Sequence, residues 1–142
     1  MAKSDSWENS ILALLFTATA LANVADNAAS APTTSIFYSL HTADPLDAGD
    51  QSTSEAVYGS YARQGVTRSG AGHTVTANSV SPDANIDFPE ATSGSETETH
   101  FIAGKLVTTA GVSFYHGTVT PNIVVVTGVT PRLTTATAIT ES

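Results

Sequence analysis

Two pairs of side chains in this 142-residue chain have the types and spacing that chemistry could use. His41 and Asp44 lie three residues apart in Phe37-Tyr38-Ser39-Leu40-His41-Thr42-Ala43-Asp44-Pro45, where a β-forming run reaches a turn. They could be a base and its orienting carboxylate, but no nucleophile, GxSxG elbow or triad context accompanies them. Asp before Pro is also a common turn initiator, because the carboxylate can accept a backbone N–H and Pro fixes φ; this is the stronger reading. Glu96 and Glu98, in Gly94-Ser95-Glu96-Thr97-Glu98-Thr99, are the second pair. Paired carboxylates can hydrolyse glycosides, yet a stretch this rich in turn residues reads as a solvated loop.

No catalytic residue, cofactor site or metal site is expected. HxH and HExxH are absent, and Asp44, Asp47 and Asp50 follow i, i+3, i+6 rather than the alternating positions of a calcium loop. His100 and His116 stand beside Phe101 and Tyr115 in strand-like segments, which favours hydrogen-bonded structural imidazoles over ligands.

Composition sets the frame for these residues. The chain is 41% hydrophobic but only 13% charged, and Thr, Ser and Ala make up the difference, which suits sheets with weakly charged faces. Five basic residues against 13 acidic ones, net −8, argue against nucleic acid, since phosphate binding relies on clustered Lys and Arg. With no cysteine, disulfides and thiolate chemistry are excluded. The apolar run over 11–16 followed by Ala20-Leu21-Ala22 imitates a secretory signal. Asp5 and Glu8 precede it where positive charge belongs, and the run is far too short to span a membrane.

The positioning elements follow from periodicity. Trp7, Ile11, Leu14, Leu15, Ala18, Leu21, Ala22 and Ala25 recur at helical spacing after a capping-box-like Asp5/Glu8 start, so an amphipathic helix is expected over 6–27. Its weak second half suggests docking on its own sheet or on a neighbouring subunit. Pro32 closes a linker, giving a docking arm over 1–31 and a β-domain over 32–142. From 33 onward, short period-two runs predict eight strands, near 34–42, 57–68, 73–80, 84–89, 99–108, 112–119, 122–129 and 132–139. The expected fold is mainly β: an antiparallel sandwich or jelly-roll-like barrel with one N-terminal helix. The continuous β-branched run over 122–129 predicts a strand covered on both faces. Tyr58, Tyr61, Phe101, Phe114 and Tyr115 fit core or subunit-interface packing better than a sugar platform.

Four stretches carry a resemblance: FYSLHTADP (37–45), YGSYARQGVT (58–67), NIDFPEAT (85–92) and THFIAGKLVTTAGVSFYHGTVT (99–120). In this order they resemble a family of small tailed-bacteriophage virion proteins, whose members are labelled tail fibre protein or head decoration (cement) protein. The resemblance covers about three quarters of the chain and implies a virion structural role without catalytic residues. Thr42-Ala43-Asp44-Pro45 belongs to that pattern and His41 does not, which makes the stretch a strand terminator. The implied role is a capsid decoration protein on the outer shell, bound to the major capsid protein and forming a homo-oligomer, a trimer on local threefold positions being the simplest. Such a protein would be assembled in the host cytoplasm without nucleic acid or membrane partners. The interface would use Trp7, Ile11, Leu14, Leu15, Tyr58, Tyr61 and Arg63. A tail, baseplate or fibre-associated component contacting the host is the alternative, and a polysaccharide hydrolase working through Glu96 or Glu98 is a third.

Overall fold

The computed structural model describes residues 3–21, 24–25 and 31–141. Among the described residues one helix, α1 (Asp5–Thr17), precedes nine strands: β1 (Ser35–His41), β2 (Gln64–Thr67), β3 (His73–Thr76), β4 (Ser79–Pro82), β5 (Ile86–Asp87), β6 (Ser95–Gly104), β7 (Ser113–Val126), β8 (Arg132–Leu133) and β9 (Ile139–Thr140). The chain is mainly β, as expected. Among the described residues the strands form three antiparallel sheets, ordered β2-β1-β6-β7, β3-β4-β9 and β5-β8, and none closes into a barrel.

The strands and loops group into two compact units, 1–35 with 66–85 and 134–142, and 36–65 with 86–133. This grouping cuts across the expected 1–31 arm and 32–142 domain. In the first unit α1 lies on β3 and β4, with Leu12, Phe16, Val80 and Ile139 buried. Phe16 meets the His73 ring edge-on at 5.2 Å. The helix therefore covers a sheet of its own unit. It starts at Ser4, whose hydroxyl accepts the Trp7 N–H, rather than at the Asp5/Glu8 box. It also stops ten residues short of the expectation. Ala18 turns left-handed (φ 57°), its N–H and that of Thr19 both reach the Ala13 carbonyl, and the Thr17 hydroxyl bonds the same oxygen. Arg68 donates to the Leu14 and Leu15 carbonyls, supplying the cation that a helix C-terminus favours. Of the expected continuation to 27, residues 22–23 and 26–27 lie outside the described residues.

The expected strand 73–80 is instead the hairpin β3–β4, turned by Ala77 (φ 52°) and Asn78, with Thr76 opposite Ser79. In the second unit β1 pairs with β6 from Phe37↔Gly104 to His41↔His100, and β6 pairs with β7. The expected strands 112–119 and 122–129 are one strand, β7. Their predicted turn at Thr120-Pro121-Asn122 is an irregularity where the register jumps from His100↔Thr118 to Glu98↔Ile123. Pro is tolerated there because β7 is the last strand of its sheet. The expectation of a strand covered on both faces is corrected by the alternation along β7: Val125 is buried, whereas Val124 and Val126 are exposed, so one face stays open.

The expected strand 57–68 is the second large departure. Only β2 is strand, and Tyr58 to Tyr61 form a turn, with the Tyr61 N–H on the Tyr58 carbonyl and Ser60 at φ 75°. What the turn carries is a pair of aromatic anchors. Tyr58 meets Tyr61 edge-on at 5.3 Å, and Tyr61 stacks on Phe88 at 6.2 Å. The Tyr58 hydroxyl donates to the Pro89 carbonyl, so two of the four resembling stretches pack against each other.

Candidate functional site

Three polar clusters of the second unit hold the chemistry-bearing residues. The first is centred on Arg63, which is 6% exposed. Its Nε and one terminal nitrogen fork onto the two Glu55 oxygens at 2.6 and 2.7 Å, the geometry that binds a carboxylate most strongly. Nη1 donates to the Leu106 carbonyl (3.0 Å), and the Nη2 that meets Glu55 also donates to the carbonyls of Gln51 (2.9 Å) and Thr109 (2.8 Å), which share its second hydrogen. Tyr61 donates to Glu55 Oε1 and accepts the Leu40 N–H of β1. Gln51, fully buried, accepts the Leu106 N–H at 2.8 Å, while its backbone N–H donates to the Gly111 carbonyl. Loop 42–63 and loop 105–112 are thus fixed to each other from beneath. Only glycine fits beside Gln51 at 104 and 111, since a Cβ at either position would lie 2.2 Å from its side chain.

The second cluster answers what His41 and Asp44 do. Asp44 Oδ1 accepts the Leu46 N–H at 2.9 Å, the Asx turn expected of a strand terminator. His41 is fully buried, with Nε2 2.8 Å from Ser39 Oγ and Nδ1 2.8 Å from the Thr53 carbonyl. Burial lowers its pKa, outweighing the bond to Thr53, so the ring is neutral at pH 7. Ser39 is equally buried, which leaves this pair no route to a substrate in this structure. His100 and His116 flank the Asp44 carboxylate, with Nε2 atoms 3.9 and 3.6 Å from its oxygens, and His100 Nδ1 meets Thr99 Oγ1 at 2.8 Å. Among the described residues no group of three or more His, Asp or Glu side chains is arranged to hold a metal.

The third cluster overturns the solvated-loop reading of Glu96 and Glu98. Both lie within β6, and Glu98 is 0% exposed with neither carboxyl oxygen hydrogen-bonded. Burial first, and the neighbouring Glu96 carboxylate second, push its pKa up to about 8. Glu96 Oε1 instead accepts the N–H groups of Val57 (3.0 Å) and Tyr58 (2.9 Å), tying the start of the aromatic turn to β6. Paired carboxyl groups are what glycoside hydrolysis uses, but Glu98 faces no solvent.

The expected interface residues fall into two sets. On α1, Trp7 is exposed and Ile11, Leu14 and Leu15 are half-buried. In the second unit Tyr58 and Arg63 are buried and Tyr61 is half-buried, all three engaged within that unit, so burial removes Tyr58 and Arg63 from any contact surface. Sequence reading missed Glu55 and Gln51, and it placed Glu98 on a loop instead of within β6. The available signal for Glu98 was the alternation Glu96-Thr97-Glu98-Thr99, which continues the period of β6 in the N-terminal direction.

No curated protein matches the chain. A family model does, and it bears on the virion resemblance directly: described as podophage GP4 fiber I protein gp80, it matches residues 2–140, nearly the whole sequence. The chain belongs to this podophage GP4 fiber I protein family.

Proposed function

We propose that this protein is a non-enzymatic structural component of a podophage fibre, built into the virion as one of several copies of itself. The observation that carries this reading is the family match across residues 2–140, whose description names a fibre. It favours the tail-side alternative over a cement role on the capsid shell. The structure is in keeping with a scaffold. Arg63, Glu55, Gln51 and Tyr61 lock two loops together, His41 and Ser39 are sealed from solvent, and Glu98 is buried as a neutral acid. None of these groups is placed to touch a substrate. Net charge −8 keeps such a part soluble before assembly and away from the packaged genome. The test is gold labelling of purified virions with an antibody to this chain. Label along the fibres is the expected result, and label distributed over the shell would return the protein to a decoration role.

A further inference from the structure

Lys105 stands apart from the other bases of the chain. Lys3 pairs with Glu141, Arg63 with Glu55 and Arg132 with Asp87, while Arg68 bonds the Leu14 and Leu15 carbonyls. Among the described residues Lys105 alone has no side-chain partner, in a chain with an eight-charge acidic excess. It opens an exposed loop that carries Leu106 at 40%, Val107 at 54% and Val112 at 58% exposure. This loop is not loose. Arg63 holds the Leu106 and Thr109 carbonyls, Gln51 holds the Leu106 N–H and the Gly111 carbonyl, and Lys105 N–H bonds the Val112 carbonyl at 3.1 Å. Its apolar side chains are therefore presented outward on a fixed backbone, which lowers the ordering cost of binding.

The loop tied to it carries the opposite charge. Leu46 is 65% exposed and sits at φ 60°, a conformation rare for a bulky residue, held there by the Asp44 carboxylate on its N–H and by the Gly49 N–H on its carbonyl. Exposed Asp44 and Asp47 flank it. One loop thus offers a base with apolar side chains, and the other offers acids with an apolar side chain. Identical chains could use such a pair reciprocally, since what one copy offers the next copy complements.

We infer that loops 44–47 and 105–112 form the surface through which one copy of this chain docks on a second copy, with Lys105 meeting the Asp47 region of its neighbour. The inference rests on the fibre reading for its biological setting and is tested separately from it. Sedimentation equilibrium of the full chain across the micromolar range should show self-association. Lys105→Glu and Asp47→Lys should each raise the dissociation constant about tenfold or more through repulsion. The double reversal Lys105→Glu/Asp47→Lys should restore association, a rescue that general damage to the fold would not give. Because the chain has no cysteine, Val107→Cys supplies a unique thiol for crosslinking within virions, expected to join copies of this chain. A monomeric wild type, single reversals that associate unchanged, a double reversal no better than the singles, or crosslinks only to a different virion protein would each overturn the inference. The fibre reading fails on a different result, gold label on the shell, whatever the copies do in solution.

Discussion

Replacing Glu98 by Gln isolates a fully buried carboxyl whose oxygens have no hydrogen-bond partner. The folded state raises this carboxyl from 4.5 to about 8, so between those values the native protein holds a proton that the unfolded chain has released. Stability must then fall as pH rises through this window, with the full benefit below about 4.5 and none of it recoverable above about 8. Each pH unit inside the window is worth about 1.4 kcal/mol, so moving from pH 5.5 to 7.5 should cost wild type about 3 kcal/mol that the Glu98→Gln variant does not lose. The substituted amide keeps the shape and neutrality of the protonated acid, and comparing slopes cancels whatever its own burial costs. The assay is urea unfolding of both proteins at pH 5.5, 6.5 and 7.5. Curves that converge at low pH and separate at high pH, with the Glu98→Gln variant the more stable there, are expected. Parallel curves would mean that Glu98 is ionised and hydrated in the native state, and the burial argument would fail.

Other perturbations report on the remaining clusters. Arg63→Met leaves the largely enclosed Glu55 without its cation and frees three loop carbonyls, so thermal or urea unfolding should register a loss of about 3–5 kcal/mol; a loss below about 1 kcal/mol would show that the hub does not hold the loops. Gly111→Ala drives a methyl into Gln51 and should cost about 1–3 kcal/mol, partly relieved by adding Gln51→Ala, whereas additive effects in that double-mutant cycle would refute the contact. Phe16→Ala should cost about 3–5 kcal/mol if α1 is integral to its unit, measured as loss of cooperative melting; a near-neutral result would restore the free docking arm. Burial holds His41 and His73 below the usual histidine pKa, so the unfolded chain takes up protons first as pH falls below about 6.5. A His41→Asn variant should accordingly lose less stability between pH 6.5 and 5 than wild type, and equal losses would place the His41 charge elsewhere.

Local chemistry made part of this structure legible from sequence alone. Asp44-Pro45 announced the end of β1 because an Asx turn is a property of neighbouring residues, and the apolar spacing of Ile11, Leu14 and Leu15 announced a helix for the same reason. What escaped depended on residues far apart in the chain. The aromatic-rich run from Tyr58 to Arg63 imitates a strand, but the partners that make it a turn of anchors are Glu55, Phe88, Pro89 and Leu106. Glu98 looked solvated because its neighbours are Thr and Gly, and only pairing with Ile123 on β7 decides which face it occupies. The β-branched run of β7 suggests double coverage because a continuous apolar run does not mark which of its faces stays open. Small residues such as Ala18 and Ala22 continue the helical spacing in the sequence, while a single left-handed Ala18 ends the helix.

The most direct test of the fibre assignment is the copy number of this chain in purified virions, by quantitative mass spectrometry against both the major capsid protein and a tail protein. A ratio to the tail protein that is a small whole number, far below the capsid count, is predicted. A ratio near one, or near a simple lattice fraction of the capsid protein, would contradict it and mean that the protein covers the shell.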